Sequence, residues 1–534
     1  MEAKTSWEEA REYTPDQLRT AELVLEDVRA GVDVLKAIRS HPLAAGGYIG
    51  KHTLVWVLRQ QAQAEGQAPD PGMLRKIRMK PGRTLSGVTT VTVLTKPYPC
   101  PGECIFCPEA ACMPKSYLPD EPGAMRGVQH DFDPFDQTMS RLQSLTAIGH
   151  PTDKVELLIL GGTWSAYPEE YQERFIKRCL DAMNTRVAAT LEEAQRWNDG
   201  APHRNVGMVL ETRPDSIDRA EIARMRALGA TKVQMGVQSL DNHILDRNKR
   251  GHSVEQSRQA IRLLRAAGFK IVLHWMPNLL GATLDSDRED FQRLWSDEDM
   301  RPDELKIYPT QLLKDTGLYH FWAQGEYKPY TTQELIALIS ELKLSIPRYC
   351  RVNRVIRDIP SGNVVAGNKR TSLRQDIQAS LKERGLRCQC IRCREVRGRA
   401  VKPVELLRED LVYRAGGAEE HFLSLNTTDD YLAGYLRLSL PGKTAPRTAL
   451  AGLEDAAIIR EVHIYGQSLT VGRTVEGAAQ HAGLGSSLIE EAEEMAMDAG
   501  YPNMAIIAAL GTRGYYRKLG YRLVGTYMVK KLKA

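Results

Sequence analysis

The sequence predicts an α/β protein with a parallel sheet, either a barrel or an open sheet, followed by a second α/β unit. Three observations predict this class. Short apolar runs alternate with helical patterns between residues 86 and 345, and such repeats form parallel sheets. Polar residues and glycines follow directly after these runs. Near the C-terminus, a strand-like run, a glycine turn and a long amphipathic helix occur in succession.

We divide the 534 residues into four parts, since the chain is too long for one ordinary core. Residues 1–85 form a helical, basic extension, 86–345 the first α/β domain, 346–395 a connector and 396–534 the second α/β domain. In the first domain we predict strands at 88–95, 155–160, 206–211, 232–237, 271–276 and 305–308. In the last part we predict strands at 419–425, 431–440, 457–465 and 503–508.

The composition is that of a globular protein, with 42% hydrophobic and 26% charged residues. No run of about 18 apolar residues suggests a membrane span. The first twenty residues carry charges throughout and lack the apolar core of a signal peptide, so we expect a cytoplasmic protein. Without a secretion signal, the nine cysteines favour metal sites over disulfides.

Basic residues are concentrated in three stretches, although the net charge is only +5. Residues 74–83 contain five basic residues and no acid, and residues 348–357 and 382–399 are similarly rich. Such stretches suit a polyanion such as RNA. A solvated helix face or loop explains any single stretch equally well.

The most informative motif is Cys100-x3-Cys104-x2-Cys107, which follows the first predicted strand. A cubane iron–sulfur cluster is normally held by four cysteines, so three ligands on one short loop leave one iron open. The spacing resembles the loop of radical S-adenosylmethionine (SAM) enzymes, in which SAM binds the open iron. The alternative is a zinc loop or a set of unrelated thiols.

Further candidate ligands follow the other strands of the first domain. In parallel α/β folds, ligands bind at the C-terminal ends of the strands. Gly161, Gly162 and Thr163 follow the second strand, where radical SAM enzymes carry a glycine-rich turn that contacts SAM. Glu211 and Gln234 are candidate contacts for the ribose and methionine of SAM. A simple turn and satisfied polar residues at a barrel rim are the alternatives.

The connector contains a second group of thiols, Cys388, Cys390 and Cys393. Thiolates bind zinc tetrahedrally, and we favour Cys350 as the fourth ligand. This zinc would be structural and would hold the connector between the domains. Reduced cysteines without a metal are the alternative.

The C-terminal turn has the pattern Gln480-x-x-Gly483-Leu484-Gly485-Ser486 and leads into a predicted helix at 487–499. Backbone N–H groups at a helix N-terminus bind pyrophosphate. The pattern resembles the acetyl-CoA loop of GNAT acyltransferases. Tyr515 and Tyr516 lie in a segment that resembles the GNAT region near the acetyl thioester, although simple packing explains them as well.

The combination of a radical SAM core with a GNAT domain resembles the catalytic-subunit family of Elongator. The resemblance extends over nearly the whole chain and includes the segments 121–126, 305–309, 317–319, 357–360, 393–396, 460–465 and 514–521. It implies a partial (βα)6 radical SAM barrel followed by a GNAT-like domain. The Cys388, Cys390 and Cys393 set is a departure from eukaryotic members, so zinc is not implied for the family at large.

The resemblance also implies a function, namely the conversion of the wobble uridine of tRNA to 5-carboxymethyluridine from acetyl-CoA and SAM. A radical formed from SAM would activate the acetyl methyl group, which would add to carbon 5 of uracil before the thioester is hydrolysed. Lys306 and Tyr308 would guide acetyl-CoA or the uridine. The N-terminal region and the connector would hold the anticodon arm, and an electron donor is required. The sequence does not decide whether the chain forms a homodimer.

Two other functions compete with this one. A protein lysine acetyltransferase with a structural iron–sulfur domain would need a general base, and no carboxylate near the glycine loop is an evident candidate. A non-catalytic tRNA-binding scaffold would not need both cofactor loops.

Overall fold

The computed structural model describes residues 12–397, 399, 401–465 and 483–532. The chain begins with four helices, which form a small core of their own around Val24, Leu54 and Ile77. Thr14 begins the first helix with a reciprocal capping box, in which its hydroxyl and the Gln17 side chain satisfy free backbone N–H groups. The helices are α1 Pro15–Arg29, α2 Val34–Ser40, α3 Lys51–Ala64 and α4 Pro71–Ile77.

The first α/β unit contains a seven-stranded, all-parallel sheet in the order β1-β2-β3-β4-β5-β6-β8, curled into a half-barrel. Its strands are β1 Thr89–Leu94, β2 Lys154–Leu160, β3 Arg204–Thr212, β4 Lys232–Gln238, β5 Lys270–Trp275, β6 Glu304–Ile307 and β8 Arg351–Arg354. The six predicted strands are confirmed. The seventh, β8, lies within the segment that we assigned to the connector.

Helices flank this sheet, and most of them pack their apolar sides against its strands. They are α5 Pro122–Gln129, α6 Pro134–Ala147, α7 Glu169–Asn184, α8 Leu191–Asn198, α9 Arg219–Leu228, α10 Asn242–Arg247, α11 Val254–Ala266, α12 Leu284–Ser296, α13 Gly317–Ala323 and α14 Thr332–Leu342. A small antiparallel pair, β7 Leu312–Leu313 and β9 Val364–Ala366, adjoins the open end. Two connector helices follow, α15 Leu373–Glu383 and α16 Ile391–Arg394.

The C-terminal unit is a second seven-stranded sheet in the order β10-β11-β12-β13-β14-β16-β15. Its elements are β10 Leu407–Ala415, β11 Ala418–Asn426, β12 Leu432–Pro441, β13 Ala456–Ile464, α17 Leu484–Asp498, β14 Asn503–Ile506, α18 Arg513–Lys518, β15 Arg522–Val524 and β16 Tyr527–Lys531. All neighbouring strands are antiparallel except β13 and β14. The predicted fold class is therefore confirmed, with a helical N-terminus, a parallel half-barrel and a second α/β unit.

The parallel strands β13 and β14 separate at their C-terminal ends. Their pairing ends at Ile459 and Ile506, whereas β13 continues to Ile464. On its other side, β13 stays paired with β12 as far as Ile464. A wedge therefore opens in the middle of the sheet beside residues 460–464.

The two sheets share one continuous hydrophobic core. A buried ionic cluster, which consists of Asp303, Arg265, Arg437, Arg460 and Glu420, joins them. Tyr527 of β16 also donates a hydrogen bond to the carbonyl oxygen of Ala267 at 2.8 Å. These contacts hold the C-terminal sheet against the half-barrel at the ends where β5 and β6 begin.

Candidate functional site

The loop after β1 holds the three thiols of Cys100, Cys104 and Cys107 at the C-terminal end of the half-barrel. All three are partly exposed and none forms a disulfide. The backbone N–H of Gly102 donates to Cys100 Sγ at 3.4 Å, and Thr163 Oγ1 lies 3.6 Å from the same sulfur. The loop that follows β2 therefore touches the thiol loop, as the sequence predicted from their positions after neighbouring strands.

Two guanidinium groups lie against this loop. The side chains of Arg250 and Arg213 are both buried. Arg250 Nη1 donates to Cys104 Sγ at 3.4 Å. Arg213 Nη1 has no hydrogen-bond partner among the described residues and lies so close to Gly102 that a β-carbon there would stand 2.2 Å away. Neither arginine was predicted as a contact of the thiol loop, because nothing local distinguishes Arg213, which follows β3, or Arg250, which follows α10, from other arginines.

This donor set fits a cubane iron–sulfur cluster. Burial, with a further contribution from Cys104, raises the pKa of the Cys107 thiol to about 11, so metal coordination is needed to hold it as a thiolate at neutral pH. The adjacent cations compensate the negative charge of a thiolate-bound cluster. Three thiol ligands leave the fourth iron of such a cluster open to another ligand.

The turn after β2 has a backbone conformation that requires glycine. Gly161 and Gly162 have φ angles of 137° and 97°, which L-residues with a side chain rarely adopt. A β-carbon on Gly161 would lie 1.8 Å from Thr95 Oγ1. The backbone therefore approaches the end of β1 closely, where Thr95 Oγ1 and Tyr167 OH donate to the carbonyl oxygen of Gly161.

Polar side chains of β3 to β6 form a connected group inside the half-barrel. Gln234 Oε1 lies 3.1 Å from His274 Nε2 and also accepts a hydrogen bond from Lys306 Nζ. Glu211 Oε1 lies 3.7 Å from His274 Nδ1, and the Tyr308 ring packs edge-on against the imidazole. Burial, reinforced by Lys306, holds the pKa of His274 well below its ordinary value. The histidine is therefore a neutral link between Glu211 and Gln234.

One cavity of about 1300 Å³ runs through the lumen of the half-barrel and reaches the C-terminal sheet. Cys107, Glu211 and Lys306 line it near the ends of the parallel strands. Lys232, Lys270 and Glu304 line it near their beginnings. Beyond these lie Glu461, His463, Ile507 and Tyr516, on the walls of the wedge between β13 and β14. The thiol loop and the C-terminal sheet thus open into the same cavity.

The turn before α17 is the second candidate binding element. Gly483 caps the helix with φ 73°, and the helix begins at Leu484. Tyr515 OH lies 3.2 Å from Ser486 Oγ and close to Gly485, so the phenol stands over the helix N-terminus. Tyr516 is buried and lines the cavity. Gln480, which we predicted as part of this turn, lies outside the described residues.

The connector thiols form a compact group. The sulfurs of Cys388, Cys390 and Cys393 all lie within 4.8 Å of one another, close enough to bind a single metal ion. Cys350 is buried next to them, with its carbonyl oxygen bonded to the N–H of Ile391, but its sulfur is not part of this group. Lys343 Nζ lies 3.9 Å from Cys393 Sγ, and the whole side chain is buried.

The basic residues differ in whether their positive charge is already paired with a carboxylate. In the stretch 348–357, all four arginines, namely Arg348, Arg351, Arg354 and Arg357, form ion pairs with carboxylates. By contrast, Arg83, Arg126 and Arg141 come together at the cavity wall, and burial together with the other two arginines lowers the pKa of Arg141 to about 10. Among the described residues, this arginine group beside the N-terminal helices forms no ion pair with a carboxylate, whereas the arginines of the stretch 348–357 are all paired.

The chain is similar to known proteins over most of its length. Residues 98–294 match the radical SAM superfamily and residues 302–383 the radical SAM C-terminal domain. The chain is 43% identical to a tRNA uridine(34) acetyltransferase of Methanocaldococcus infernus, over 85% of this chain and 88% of that one. It is 38% identical to Elongator complex protein 3 of Homo sapiens, over 86% and 87%.

A solved structure agrees with these matches. The structure of an N-terminally truncated archaeal Elp3 from Methanocaldococcus infernus superposes with a TM-score of 0.74 at 39% identity, covering 84% of this chain and 99% of that one. Within the described ranges, every helix is too short or too polar to cross a membrane.

Proposed function

Because the chain belongs to the family of tRNA uridine(34) acetyltransferases and Elongator complex protein 3, which is a family of radical SAM enzymes, we propose that it carboxymethylates the wobble uridine of tRNA at carbon 5. The acetyl group would come from acetyl-CoA. The single observation that carries the proposal is the continuous cavity between the thiol loop and the C-terminal sheet. It provides a path along which one acetyl group can meet both binding elements.

The chemistry requires a radical, since neither carbon 5 of uracil nor the acetyl methyl group is reactive toward the other. When bound, the iron–sulfur cluster and SAM would supply the radical chemistry that activates the acetyl methyl group. Cys100, Cys104 and Cys107 would hold the cluster. Arg250 would donate to the Cys104 thiolate, as it does to the free sulfur.

SAM would lie at the C-terminal ends of β2 to β4. The turn at Gly161, Gly162 and Thr163 would approach it through backbone groups, while Glu211 and Gln234 would contact its ribose and methionine parts. The bonds from His274 and Lys306 to Gln234 support this assignment, because they hold the amide oxygen in one orientation.

Acetyl-CoA would bind at the N-terminus of α17. The backbone N–H groups after Gly483 would take the pyrophosphate, with Leu484, Gly485 and Ser486 in the first turn. Tyr515 stands over this turn, and Tyr516 lines the cavity beyond it, so the thioester would lie in the wedge between β13 and β14. Lys306 and Tyr308, on the opposite part of the cavity wall, would guide the acetyl methyl group or the uracil.

The tRNA would approach the cavity where the N-terminal extension adjoins the half-barrel. Arg83, Arg126 and Arg141 lie together there and form no ion pair with a carboxylate of the described residues, which suits the phosphates of an anticodon arm. A wobble base in a single-stranded loop can turn into a cavity without breaking a duplex.

The connector thiols would hold a structural zinc ion. Three sulfurs within 4.8 Å of one another support this assignment. Cys350 stays our candidate for the fourth ligand, since it is buried beside Cys390 and its pKa is raised well above the ordinary value, first by burial and next by Cys390.

The proposal is tested by incubating the anaerobic, cluster-loaded protein with SAM, dithionite, acetyl-CoA and unmodified tRNA. Nucleosides from the digested tRNA are then analysed by mass spectrometry. We expect 5-carboxymethyluridine from the wild type and none from Cys104→Ala. Cys112→Ala, which removes an exposed thiol, should leave the product unchanged and serves as the matched control. Acetylated lysine on added proteins without modified uridine would instead support a lysine acetyltransferase.

A further inference from the structure

His463 lies on β13 at the junction between the half-barrel lumen and the C-terminal sheet. Its imidazole stacks against Tyr435 of β12, with ring centroids 5.9 Å apart, and packs against Tyr465 with centroids 4.3 Å apart. Both tyrosines are buried. These contacts restrict the ring to one position on the wall of the cavity.

The imidazole has an unused hydrogen-bonding nitrogen. Nε2 of His463 is covered and has no hydrogen-bond partner among the described residues. Buried polar atoms nearly always have a partner, so an isolated one in a cavity wall indicates a ligand or a water molecule. His421 of the same sheet provides a contrast, because its Nδ1 lies 2.8 Å from a carboxylate oxygen of Asp410.

The position of His463 relative to the wedge is equally informative. The last pair between β13 and β14 is Ile459 with Ile506, and His463 lies four residues beyond this point on β13. Ile507 and Tyr516 line the cavity on the opposite side of the wedge. An acyl group on a coenzyme held at the start of α17 would enter this space, so its thioester carbonyl would come within reach of the imidazole.

Burial keeps this imidazole unprotonated. Burial is the main cause that lowers the pKa of His463 to about 4, with Lys270 of β5 and Arg351 of β8 acting in the same direction and Glu461 and Glu156 opposing it. The Tyr435 and Tyr465 phenols that face the ring are themselves buried and neutral, with raised pKa values. At neutral pH the ring is therefore available as a proton acceptor, although it is a weaker base than an exposed histidine.

We infer that His463 is the general base that hydrolyses the thioester of the carboxymethylated intermediate, an inference that rests on the proposed function. A water oxygen forms a bond to the thioester carbonyl carbon, and His463 takes the proton that this water releases. The tetrahedral intermediate then breaks its C–S bond. Coenzyme A leaves as a thiolate and takes the proton back from His463, which leaves a carboxyl group on the uridine. The step needs no oxidant or reductant.

The test separates this step from the radical step. Wild-type protein and His463→Gln are each given one turnover with SAM, dithionite, acetyl-CoA and unmodified tRNA. Deoxyadenosine, carboxymethyluridine and its coenzyme A thioester are then measured. For the variant we expect deoxyadenosine within about twofold of wild type, formation of carboxymethyluridine slower by about 100-fold, and accumulation of the thioester. His421→Gln is the matched control and should behave as wild type.

The outcomes distinguish the inference from the function on which it rests. No carboxymethyluridine from the wild type would refute the proposed function. Wild-type product together with an unimpaired His463→Gln variant would refute only the role of His463. If His463→Gln loses deoxyadenosine and carboxymethyluridine equally, the role of His463 in hydrolysis is also refuted, because the residue would then act before that step. If the Gln variant does not fold, as judged by its unfolding midpoint, His463→Asn takes its place.

The pH dependence gives a second readout that a packing role would not affect. The hydrolytic step should stay constant from about pH 8 to about pH 5 and decline toward pH 4, as His463 becomes protonated. A decline centred near pH 6.5, where an unperturbed histidine titrates, would contradict the assignment. The carboxylates of Glu461 and Glu156 and the cations of Lys270 and Arg351 all act on the ring, and the lowered pKa of His463 is the net result of their opposing effects and of burial.

Discussion

Asp303, directly before β6, accepts two hydrogen bonds from the guanidinium of Arg460 on β13, at 2.8 and 2.7 Å. Both side chains are completely buried. This pair is the centre of the ionic cluster that joins the half-barrel to the C-terminal sheet. Because the cavity continues from one unit into the other, its shape depends on the relative position that this cluster maintains.

Asp303→Asn should destabilise the protein severely. The substitution leaves Arg460, Arg437 and Arg265 as buried cations with too little compensating charge, and such losses cost about 3–5 kcal/mol of unfolding free energy. Chemical denaturation measures the change. Asp358→Asn breaks the exposed pair with Arg354 and should cost less than about 1 kcal/mol. Similar effects of the two substitutions would show that the buried cluster does not stabilise the interface.

Lys306→Met should weaken SAM binding. It removes the ammonium that donates to Gln234 Oε1 and leaves His274 as the other partner of this amide oxygen. We expect the dissociation constant of SAM to rise by about tenfold, which is the loss of one charge-assisted hydrogen bond that orients a ligand. Equilibrium dialysis with labelled SAM measures it. The exposed Lys382→Met is the control, and unchanged binding by Lys306→Met would contradict the assignment of Gln234 to SAM.

Cys390→Ser should remove the connector metal without affecting the cluster. Cys390 is fully buried in the three-sulfur group, whereas the cluster thiols lie on the loop after β1. Elemental analysis should find no zinc in the variant but the wild-type iron content, and the thermal unfolding midpoint should fall by several degrees. Cys112→Ser should retain both metals. Equal zinc in Cys390→Ser and the wild type would refute the zinc site.

Arg250→Gln should lower the reduction potential of the bound cluster. The guanidinium is a permanent positive charge 3.4 Å from Cys104 Sγ, and a nearby cation stabilises the more negative, reduced state. An anaerobic titration followed by electron paramagnetic resonance measures the potential. Arg258→Gln changes an arginine that pairs with Asp297 away from the loop and should leave it unchanged. A potential that does not move would show that Arg250 has only a packing role.

The strands that could be predicted from the sequence are those that a local pattern of apolar residues identifies. Each of the six predicted strands of the half-barrel contains buried apolar residues and is followed by a helical pattern, so alternation with helices was sufficient to find it. Strand β8 was missed, since four residues rich in arginine do not resemble a strand and pair only with the distant β6. Strand β10 was missed for a related reason, as the side chains of its first four residues are exposed and mostly charged.

The candidate site also has one part that local motifs predict and another that depends on long-range contacts. The thiol loop, the glycine turn and the start of α17 are local motifs with characteristic spacing, so the sequence indicated them directly. The continuous cavity and the environment of His463 could not be predicted, because they depend on contacts such as Asp303 with Arg460, which are 157 positions apart. The ion pairs of the stretch 348–357 were also invisible in the sequence, where the same arginines suggested an RNA contact.

The most direct test of the whole account uses acetyl-CoA deuterated at its methyl group in the anaerobic reaction with SAM and unmodified tRNA. The account predicts carboxymethyluridine that carries two deuterium atoms and 5′-deoxyadenosine that carries the third. Deoxyadenosine without deuterium, even when carboxymethyluridine forms, would contradict the claim that the radical removes hydrogen from an acetyl group within the shared cavity.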